Sequence, residues 1–341
     1  MNSSVIAKLA GVSRSTVSRV INNYPDISKE TREKVLKIIE ENNYYPNLPA
    51  QKLAGKKTGV IGLLIYTGEI KKGGNYKKVS DSLYYSELVT KIIDASENIG
   101  YSVLVSYINK KSSNWKKIFA NGIIDGAIII SGGKKYKEIN NLTKLENKIV
   151  LLDYEDYISN ENTSTVNPNN FEGGYKATEY LIKNNHKKIL HIMGDIKRKM
   201  SINRARGYKT CLKDNRIQDS MIIAGEFSEQ SGYKIVTDYL KNNKNFDFTA
   251  IFAGNDYIAL GAIKALQENN IKVPEDVSVI GFDNMLLGEY TSPTITSVNH
   301  LDKQIAEKSL NKLINLIDGE PGTKEITCIE IVERNSVFKN S

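Results

Sequence analysis

Polar and aromatic side chains lie at or near the ends of several apolar runs in the sequence. If these runs are parallel strands, their carboxyl ends meet at one edge of a sheet, where ligands of α/β proteins bind. The residues concerned are Tyr66, Asp153, Arg204, Phe227, Asn255, Asp256 and Asp283. Hydrogen-bonding groups beside an aromatic face suit a polyhydroxylated molecule such as a carbohydrate. The alternative for each Asp or Asn is a turn or a helix cap, and Asp256 is expected to cap the helix that follows it.

A second segment with functionally informative residues lies near the amino terminus, at residues 4–24 (SVIAKLAGVSRSTVSRVINNY). Gly11 is expected to take the positive φ of a tight turn, and Ser13 to cap a second helix. Apolar residues recur at helical spacing from Val17 to Ile21, and the opposite side of this helix carries Arg and Ser without an acid. This pattern is typical of a helix-turn-helix that reads the DNA major groove. An αα-hairpin with a solvated basic face is the alternative.

Two further helical segments complete the amino-terminal region. Ser28 is expected to cap a third helix that runs to about Asn42, with Val35 on its buried face. Residues 47–55 (NLPAQKLAG) predict one very short helix with a proline in its first turn and a glycine at its end. Helices of this length are marginal alone, so we expect it to become ordered only against a partner helix or a DNA groove.

From residue 59 onward, apolar strand runs alternate with helical segments. The strand runs are GVIGLLIY, YSVLVSY, DGAIII, KIVLLD, KKILHIMG, MIIAGE, TAIFAG and VSVIGF. The helices are expected near residues 84–98, 113–120, 171–185, 203–215, 230–242, 256–270 and 302–318. This order is typical of parallel sheets covered by helices on both faces. Because the order repeats, we predict two α/β lobes in tandem with a ligand cleft between them.

The net charge of +8 is concentrated at the amino end of the 341-residue chain. Residues 1–58 carry ten Lys or Arg and five Asp or Glu, which points to a polyanion partner for this region. No apolar run reaches the roughly 20 residues of a membrane span, and the amino terminus lacks the pattern of a secretory signal. A cytoplasmic location without membrane contact is therefore expected. The two cysteines and three histidines have no ligand-like spacing, so no disulfide framework, metal site or cofactor is predicted.

Five motifs follow one another along the chain: AGVSRSTVSRVIN, ISKETREKVLKIIEENNYYPN, AQKLAGKKTGVIGLL, FAGNDYIALGAIKAL and VPEDVSVIGFDN. In order and spacing they resemble the lactose and galactose repressor (LacI/GalR) family of bacterial transcription factors, and the resemblance covers nearly the whole chain. The resemblance implies a headpiece that binds operator DNA as a dimer, a hinge helix that inserts a leucine into the minor groove, and a periplasmic-binding-protein-like core that senses a small effector. A homodimer is expected, since no leucine heptad extension follows the core.

The resemblance also assigns roles to individual residues. Arg14, Ser15 and Arg19 are implied as the major-groove readers, and Leu53 as the minor-groove wedge. The full DNA-binding set is Ser13, Arg14, Ser15, Thr16, Ser18, Arg19, Asn22, Leu53, Ala54 and Lys56. The effector-binding set is Tyr66, Tyr84, Tyr85, Asp153, Arg204, Phe227, Asn255 and Asp283, with Phe227 as the stacking aromatic. Physical chemistry agrees with the DNA roles, because Arg binds guanine bidentately and an inserted Leu unstacks a base step.

The expected domains are the DNA-binding headpiece at residues 1–45, the hinge helix at 46–57 and the effector-binding and dimerisation core at 58–341. The first lobe should comprise about 58–165 and 296–323, and the second about 166–292 and 324–338. The segment after Asp283 is expected to cross back to the first lobe, and CIEIVERNSV to return a strand to the second. The basic loop at 67–83 is either a solvated loop or a lid that helps to bind an anionic effector.

The favoured function is a DNA-binding transcriptional regulator, most simply a repressor. Its operator binding would be controlled allosterically by a carbohydrate effector, such as a galactoside or a sugar phosphate. A purine effector is the alternative, because Tyr84 and Tyr85 suit stacking against a base. A sugar-binding transport receptor is disfavoured by the missing signal peptide and the basic headpiece. An enzyme is not predicted, because no nucleophile motif, phosphate loop or metal set accompanies the carboxylates.

Overall fold

The computed structural model describes residues 2–21, 23–44, 57–66, 82–108, 114–132, 137–143, 146–154, 160–218, 220–243, 246–300 and 303–340. The chain divides into two compact units, one of Met1–Thr58 with Ala120–Ile123 and the other of Gly59–Phe119 with Ile124–Ser341. Several predictions fall outside the described residues. They concern Asn22, Leu53, Ala54 and Lys56, residues 46–56 of the hinge helix, and residues 67–81 of the basic loop.

The first unit contains three short helices: α1 (Ser3–Ala10), α2 (Arg14–Ile21) and α3 (Lys29–Glu41). The turn between α1 and α2 is confirmed at Gly11, whose φ of 65° disfavours any residue with a side chain. Both predicted caps are also confirmed. The Ser13 hydroxyl accepts a hydrogen bond from the Thr16 N–H at 3.0 Å, and the Ser28 hydroxyl accepts one from the Thr31 N–H at 3.3 Å.

These helices pack around a small apolar core made of Ile6, Ala7, Ala10, Val17, Val20, Val35 and Tyr44. Leu9 shares the apolar spacing of Ile6 and Ala10, but it is 53% exposed. Only one narrow face of an eight-residue helix packs against its neighbours, and in α1 this face contains Ile6 and Ala10. The packing leaves exposed the polar side of α2, which carries Arg14, Ser15, Ser18 and Arg19.

The second unit is built from strands that alternate with helices. The described strands are β1 (Val60–Tyr66), β2 (Ser102–Ile108), β3 (Gly126–Ile130), β4 (Ile149–Leu152), β5 (Thr163–Pro168), β6 (Ile189–Met193), β7 (Ser220–Ala224), β8 (Ala250–Ala253), β9 (Ser278–Asp283), β10 (Thr296–Asn299), β11 (Lys324–Thr327) and β12 (Glu330–Val332). The helices are α4 (Leu83–Glu97), α5 (Asn114–Ala120), α6 (Lys137–Leu142), α7 (Asn170–Lys183), α8 (Lys199–Asp214), α9 (Glu229–Asn242), α10 (Asp256–Glu268) and α11 (Lys303–Ile317), with a 3₁₀ turn at Leu286–Glu289.

The strands form two six-stranded sheets, in the orders β11-β5-β4-β3-β1-β2 and β12-β10-β9-β8-β6-β7. All neighbouring pairs are parallel except β10 with β12. Strands such as β3 (GAIII) and β6 (ILHIM) are buried along their whole length, as expected for parallel sheets within an α/β fold. The prediction of two α/β lobes with parallel sheets is therefore confirmed.

The expected lobe boundaries are wrong near the carboxyl terminus. β10 was assigned by its position to the first lobe, but it pairs with β9 in the second sheet. β11 pairs with β5 in the first sheet, and only β12 returns to the second. The first lobe also extends past residue 165, since β5 ends at Pro168. Strands of three or four residues carry too little pattern to identify a sheet, because their pairing partners are distant in sequence.

Three elements of the first lobe, β5, β11 and α6, are absent from the sequence prediction. The sequence of β5, TSTVNP, is rich in hydroxyl groups, and yet Thr163, Ser164 and Thr165 are buried. The Ser164 hydroxyl accepts a hydrogen bond from the Thr323 N–H at 3.1 Å. The Ser164 hydroxyl is therefore buried together with a hydrogen-bond partner from a distant segment, and a search for apolar runs does not detect such a strand.

The two lobes pack directly against each other beside the ends of their strands. Met285 follows β9 of the second sheet, but its side chain is buried in the apolar core of the first lobe with Leu88 and Ile92. The hydroxyl of Tyr257, at the start of α10, accepts a hydrogen bond from the Leu83 N–H at 2.8 Å. These contacts bring the carboxyl ends of the strands of both sheets together.

Candidate functional site

Arg204 is buried in a polar network of the second lobe. It lies on α8, and its Nε donates a hydrogen bond to Asn170 Oδ1 at 2.9 Å. Its Nη1 donates to the Gly254 carbonyl oxygen at 2.6 Å and lies 3.5 Å from Asp283 Oδ1, so the buried cation is matched by a carboxylate. The guanidinium carbon also lies 3.5 Å from the ring centroid of Phe282, a cation–π contact.

Two glycines allow α7 and α8 to approach closely enough to place Arg204. A Cβ at Gly174 would lie 2.1 Å from the Arg204 carbonyl oxygen, and a Cβ at Gly207 would lie 2.1 Å from the Phe171 carbonyl oxygen. Atoms cannot approach so closely, so only glycine permits this crossing. Because Asn170 begins α7, the same crossing brings it to Arg204.

Asp283 joins this network to His300. It ends β9 with a φ of 106°, which is unusual for a residue with a side chain, and its Oδ1 lies 2.9 Å from His300 Nε2. Both side chains are buried. His300 is not among the predicted effector residues. Nothing near it in sequence marks it, since it reaches Asp283 only because β10 pairs with β9.

Asp153 presents a carboxylate from the first lobe. It follows β4, and its Oδ2 accepts a hydrogen bond from the Tyr84 hydroxyl at 2.7 Å. Burial, together with the negative charges of Asp153 and Asp283, raises the pKa of Tyr84 well above its ordinary value. Tyr84 therefore stays protonated and acts as a donor. The rings of Tyr84 and His300 lie 6.0 Å apart, so groups from both lobes meet at this point.

Tyr85 interacts with a second arginine, Arg198, which belongs to the opposite lobe. Burial raises the pKa of Tyr85, and the hydrogen-bonded cation of Arg198 acts against this effect. The guanidinium carbons of Arg198 and Arg204 lie 5.4 Å and 5.8 Å from the ring centroid of Phe227, which is half-buried. Arg198 is not among the predicted residues, because in the sequence KRK it looks like one more solvated cation.

Asn255 and Asp256 both follow β8, but their side chains have different hydrogen-bond partners. Asn255 is the cap of α10, because its backbone is extended and its Oδ1 accepts a hydrogen bond from the Ile258 N–H at 2.9 Å. The expectation that Asp256 is the cap is therefore wrong. Its Oδ2 accepts a hydrogen bond from the Met285 N–H at 2.7 Å, and its Oδ1 accepts one from the Ser297 hydroxyl at 2.6 Å. Burial and the charge of a neighbouring aspartate raise the pKa of Asp256 to about 8.

Tyr66 is placed differently from the other predicted effector residues. It ends β1, but it is buried in the apolar cluster that contains Ile108, Trp115 and Tyr154. Tyr84, Tyr85, Asp153, Arg204, Phe227 and Asp283 come together, as the geometry above describes. The predicted set is thus largely assembled, with Arg198 and His300 added to it.

Several buried polar atoms around this cleft have no hydrogen-bond partner within the described part of the chain. Three belong to residues described above, namely Asp153 Oδ1, Arg198 Nε and His300 Nδ1. The fourth is Ser201 Oγ, which lies three residues from both Arg198 and Arg204 and so shares their side of α8. A buried polar group left unpaired costs about 1–3 kcal/mol. The four atoms come from both lobes and include donors and acceptors. This arrangement can therefore bind a small molecule that carries several hydroxyl groups.

The predicted DNA-reading residues lie at the start and along the exposed side of α2. The Arg14 Nε donates a hydrogen bond to the Ser3 hydroxyl at 3.1 Å. The hydroxyls of Ser15 and Thr16 lie 2.6 Å and 2.9 Å from the hydroxyl of Ser13, which is engaged as the helix cap. Exposed Arg and Ser side chains that converge at the amino-terminal end of a short helix can contact phosphates and base edges.

Arg19 is the second arginine of this surface. It forms an ion pair with Asp26, and its guanidinium carbon lies 5.5 Å from the ring centroid of Tyr24. Ser18 beside it is exposed. The described residues of the first unit therefore present two arginines to solvent on one helix.

Neither metal chemistry nor a membrane span is indicated in the part of the chain that the structure describes. No group of three or more His, Cys, Asp or Glu side chains there is placed to hold a metal ion. None of the described helices is long and apolar enough to cross a membrane. Cys211 and Cys328 are not joined to each other by a disulfide.

Comparison with known proteins agrees with this division of the chain. Residues 5–47 match the family described as bacterial regulatory proteins, lacI family, and residues 178–337 match a periplasmic binding protein-like domain. The chain is 32% identical over 340 residues to the transcriptional repressor PurR of Histophilus somni (strain 2336), with 97% of each chain covered. It is 35% identical over 349 residues to the transcriptional regulator MalR of Clostridium butyricum, with 99% of each covered.

Solved structures match over the same length. The lac repressor dimer bound to operator and the anti-inducer ONPF has a TM-score of 0.78 at 25% identity, with 98% of each chain covered. A complex of the transcriptional regulator CelR with cellobiose has a TM-score of 0.71 at 25% identity, with 98% of this chain and 99% of that chain covered. Both similarities include the helical headpiece as well as the two lobes.

Proposed function

Because the chain belongs to the LacI family of bacterial regulatory proteins, we propose that its cleft binds a small carbohydrate and that this binding controls the affinity of the headpiece for operator DNA. The family makes the chain a DNA-binding transcriptional repressor with a ligand-binding core, rather than an enzyme. The nature of the effector and the residues that contact it and the DNA are the parts that we propose.

The unpaired polar atoms of the cleft are the observation that carries the carbohydrate proposal. Asp153 Oδ1 can only accept a hydrogen bond and Arg198 Nε can only donate one, while Ser201 Oγ can do both. Sugar hydroxyl groups donate and accept, so one sugar ring can meet all three. The half-buried Phe227 ring offers an apolar surface for the face of the sugar. A bound carbohydrate is also what the CelR–cellobiose complex contains.

The charges of the cleft allow a neutral or an anionic sugar. Arg204 is balanced by Asp283 at 3.5 Å, so its charge is largely used within the protein. Arg198 lies 3.8 Å from Asp195, a longer and weaker pairing. A sugar phosphate would therefore direct its phosphate to Arg198 rather than to Arg204.

A purine is the second candidate effector. Tyr84 and Tyr85 form an edge-to-face pair with ring centroids 5.2 Å apart, and Arg198 lies beside Tyr85. Aromatic rings and a guanidinium can also hold a flat base. The similarity to PurR repressors favours the same class. The carbohydrate remains first, because unpaired donors and acceptors on both lobes suit hydroxyl groups that project in several directions from a sugar ring.

Linkage explains how such a cleft would regulate DNA binding. An effector that binds one arrangement of the lobes more tightly shifts the protein toward that arrangement. We propose that the chain acts as a homodimer, in which the lobe arrangement sets the separation of two hinge helices at residues 46–57. These hinges would place Leu53, Ala54 and Lys56 on the DNA, together with Asn22 and the exposed residues of α2. The operator and the effector would then change each other's affinity by the same factor.

Calorimetric titration of the full chain with sugars, sugar phosphates and purine bases tests the proposed ligand class. We expect a sugar or sugar phosphate to bind, and Asp283→Asn to weaken its binding at least tenfold. The matched control is Asp238→Asn, an exposed aspartate of the same lobe that pairs with Lys234, which should leave binding unchanged. Binding of a purine alone would support the second candidate, and equal binding by both variants would remove Asp283 from the site.

A further inference from the structure

Arg19 is held by a carboxylate of its own headpiece. Its Nη2 pairs with Asp26 Oδ2, and the two side chains are 48% and 47% exposed. The guanidinium also lies beside the Tyr24 ring. This pair is thus accessible from solvent, and another anion such as a DNA phosphate can compete for the guanidinium.

The loop that carries Asp26 is fixed to the helices on both sides. Arg32, on α3, donates one hydrogen bond to Asn23 Oδ1 and another to the Tyr24 carbonyl oxygen. Ser28 caps α3 two residues after Asp26. These hydrogen bonds fix the loop and so hold the Asp26 carboxylate close to Arg19.

Asp26 stands apart from the other acids of this region. Of the five Asp and Glu in residues 1–58, the other four, Glu30, Glu33, Glu40 and Glu41, belong to α3. The second exposed arginine of α2, Arg14, is held by the neutral hydroxyl of Ser3. Among the described residues, Arg19 is thus paired with a charged side chain and Arg14 with a neutral one.

We propose that Asp26 competes with DNA for the Arg19 guanidinium and so lowers the affinity of the headpiece for DNA. The inference rests on the proposed role of Arg19 as a DNA reader. On DNA without the right sequence, a single phosphate is a poor exchange for a carboxylate that is already in place, so Arg19 stays with Asp26 and adds little affinity. At an operator, a bidentate contact with guanine rewards the exchange.

The proposal predicts that Asp26 lowers the affinity for both kinds of DNA. In Asp26→Asn, operator affinity should rise about two- to fivefold, because the contact of Arg19 with a base no longer requires the pair with Asp26 to be broken. Affinity for random duplex DNA should rise by no more than this, because Arg19 interacts less strongly with a single phosphate than with the Asp26 carboxylate. On random DNA the slope of log affinity against log salt should steepen by about 0.9, the value of one more phosphate contact.

The experiment measures binding of the full chain to random duplex DNA and to an operator selected by the protein, at several salt concentrations. Glu40→Gln is the matched control, because it removes one negative charge from an exposed position on α3. Asp26→Glu keeps the charge and should behave as the original chain. In an Arg19→Ala background, Asp26→Asn should no longer steepen the salt dependence on random DNA.

Three results separate the inference from the function on which it rests. If Arg19→Ala leaves operator affinity unchanged, Arg19 is not a reader and the inference fails with its premise. If Arg19→Ala weakens operator binding but Asp26→Asn acts like Glu40→Gln, Arg19 keeps its role and Asp26 has none. If the effect of Asp26→Asn persists without Arg19, Asp26 repels DNA directly and the proposed exchange is wrong.

Discussion

The cleft and the headpiece hold their arginines in different ways. Arg204 is 3% exposed and is bonded to Asn170 and Gly254 beside Asp283, whereas Arg19 is 48% exposed and faces the carboxylate of Asp26. Removing one partner of a buried ion pair costs about 3–5 kcal/mol, whereas an exposed pair contributes about 0–1 kcal/mol. The cleft is therefore preorganised, and the headpiece can exchange its partners.

This difference suits the two tasks. A small molecule offers few atoms, so the groups that recognise it must be held in place before it arrives. DNA is a polyanion that can displace an exposed carboxylate from an arginine, so a side chain that reads DNA does not have to be free before the DNA arrives. A buried network is suited to the first task and an exposed, replaceable ion pair to the second.

The largest effect that we predict is the loss of Arg204. Arg204→Met should lower the free energy of unfolding of the second unit by about 3–5 kcal/mol, because the buried Asp283 carboxylate loses the Arg204 cation and Asn170 Oδ1 loses the hydrogen bond from Arg204 Nε. Urea unfolding followed by circular dichroism measures this. Arg206→Met, an exposed position on the same helix, should change stability by less than about 0.5 kcal/mol. Similar effects of both variants would contradict a preorganised network.

Acid should destabilise the second unit in part through His191, which is one of the three histidines of the chain. Its ring stacks on Phe252 at 4.3 Å, and burial, reinforced by the Arg204 cation, lowers the pKa of His191 to about 4. In the unfolded chain the pKa of His191 is near 6.5, so the unfolded state binds a proton at His191 more tightly than the folded state does. The contribution of neutral His191 to stability is therefore complete above about pH 6.5, and it falls by about 3 kcal/mol as the pH decreases to about 4.

A comparison of His191→Phe with the original chain isolates this contribution. Asp256, with its pKa raised to about 8, has the opposite sign, since its contribution is lost as the pH rises from the ordinary carboxyl range toward 8. Both proteins share that slope, so it cancels in the difference. Urea unfolding at a series of pH values should show the two stabilities diverging below pH 6.5. Parallel curves would show that His191 does not titrate as expected.

The hydrogen bond from Tyr84 to Asp153 should have a smaller effect. Tyr84→Phe removes the hydrogen bond to Asp153 Oδ2, and Asp153 Oδ1 already has no partner among the described residues, so the substitution should reduce the free energy of unfolding by about 1–3 kcal/mol. Tyr175→Phe, which removes an exposed hydroxyl near Asp214, should be indistinguishable from the original chain in the same urea titration. If the Tyr84 variant is as stable as the original chain, this hydrogen bond contributes no more to stability than the exposed Arg19–Asp26 pair of the headpiece.

The smallest effect on stability is predicted for the exposed pair. Arg19→Ala should change the unfolding free energy of the headpiece by less than about 1 kcal/mol, because water replaces the lost partner of Asp26. Its operator affinity should nevertheless fall about tenfold, of the order of one lost base contact. Thermal unfolding and a DNA titration on the same sample measure the two quantities. A stability loss as large as that of Arg204→Met would remove the contrast between the two regions.

Local pattern was sufficient to predict the headpiece and most of the core. Gly11, Ser13 and Ser28 act within a few residues of their own positions, and the structure confirms all three. Long apolar strands such as β1 and β3 are equally clear, because burial on both faces leaves one continuous run.

Contacts between segments that are far apart in the sequence could not be predicted from local patterns. The pairing of β10 with β9 placed His300 beside Asp283, and the packing of the lobes placed Arg198 beside Tyr85. Asn255 and Asp256 show the same limit at close range. Asn and Asp are both common helix caps. Asp256 does not cap α10 because its carboxylate accepts hydrogen bonds from Met285 and Ser297, which are distant in the sequence.

The measurement that tests the central claim most directly is fluorescence anisotropy of a labelled operator, titrated with the full chain at fixed salt in the presence of each sugar, sugar phosphate and purine. We predict that a sugar or sugar phosphate shifts operator affinity at least tenfold, about 1.4 kcal/mol of coupling, and that Asp283→Asn abolishes the shift without changing affinity in the absence of effector. A compound that binds the cleft by calorimetry but leaves operator affinity unchanged would contradict the coupling of the cleft to the headpiece.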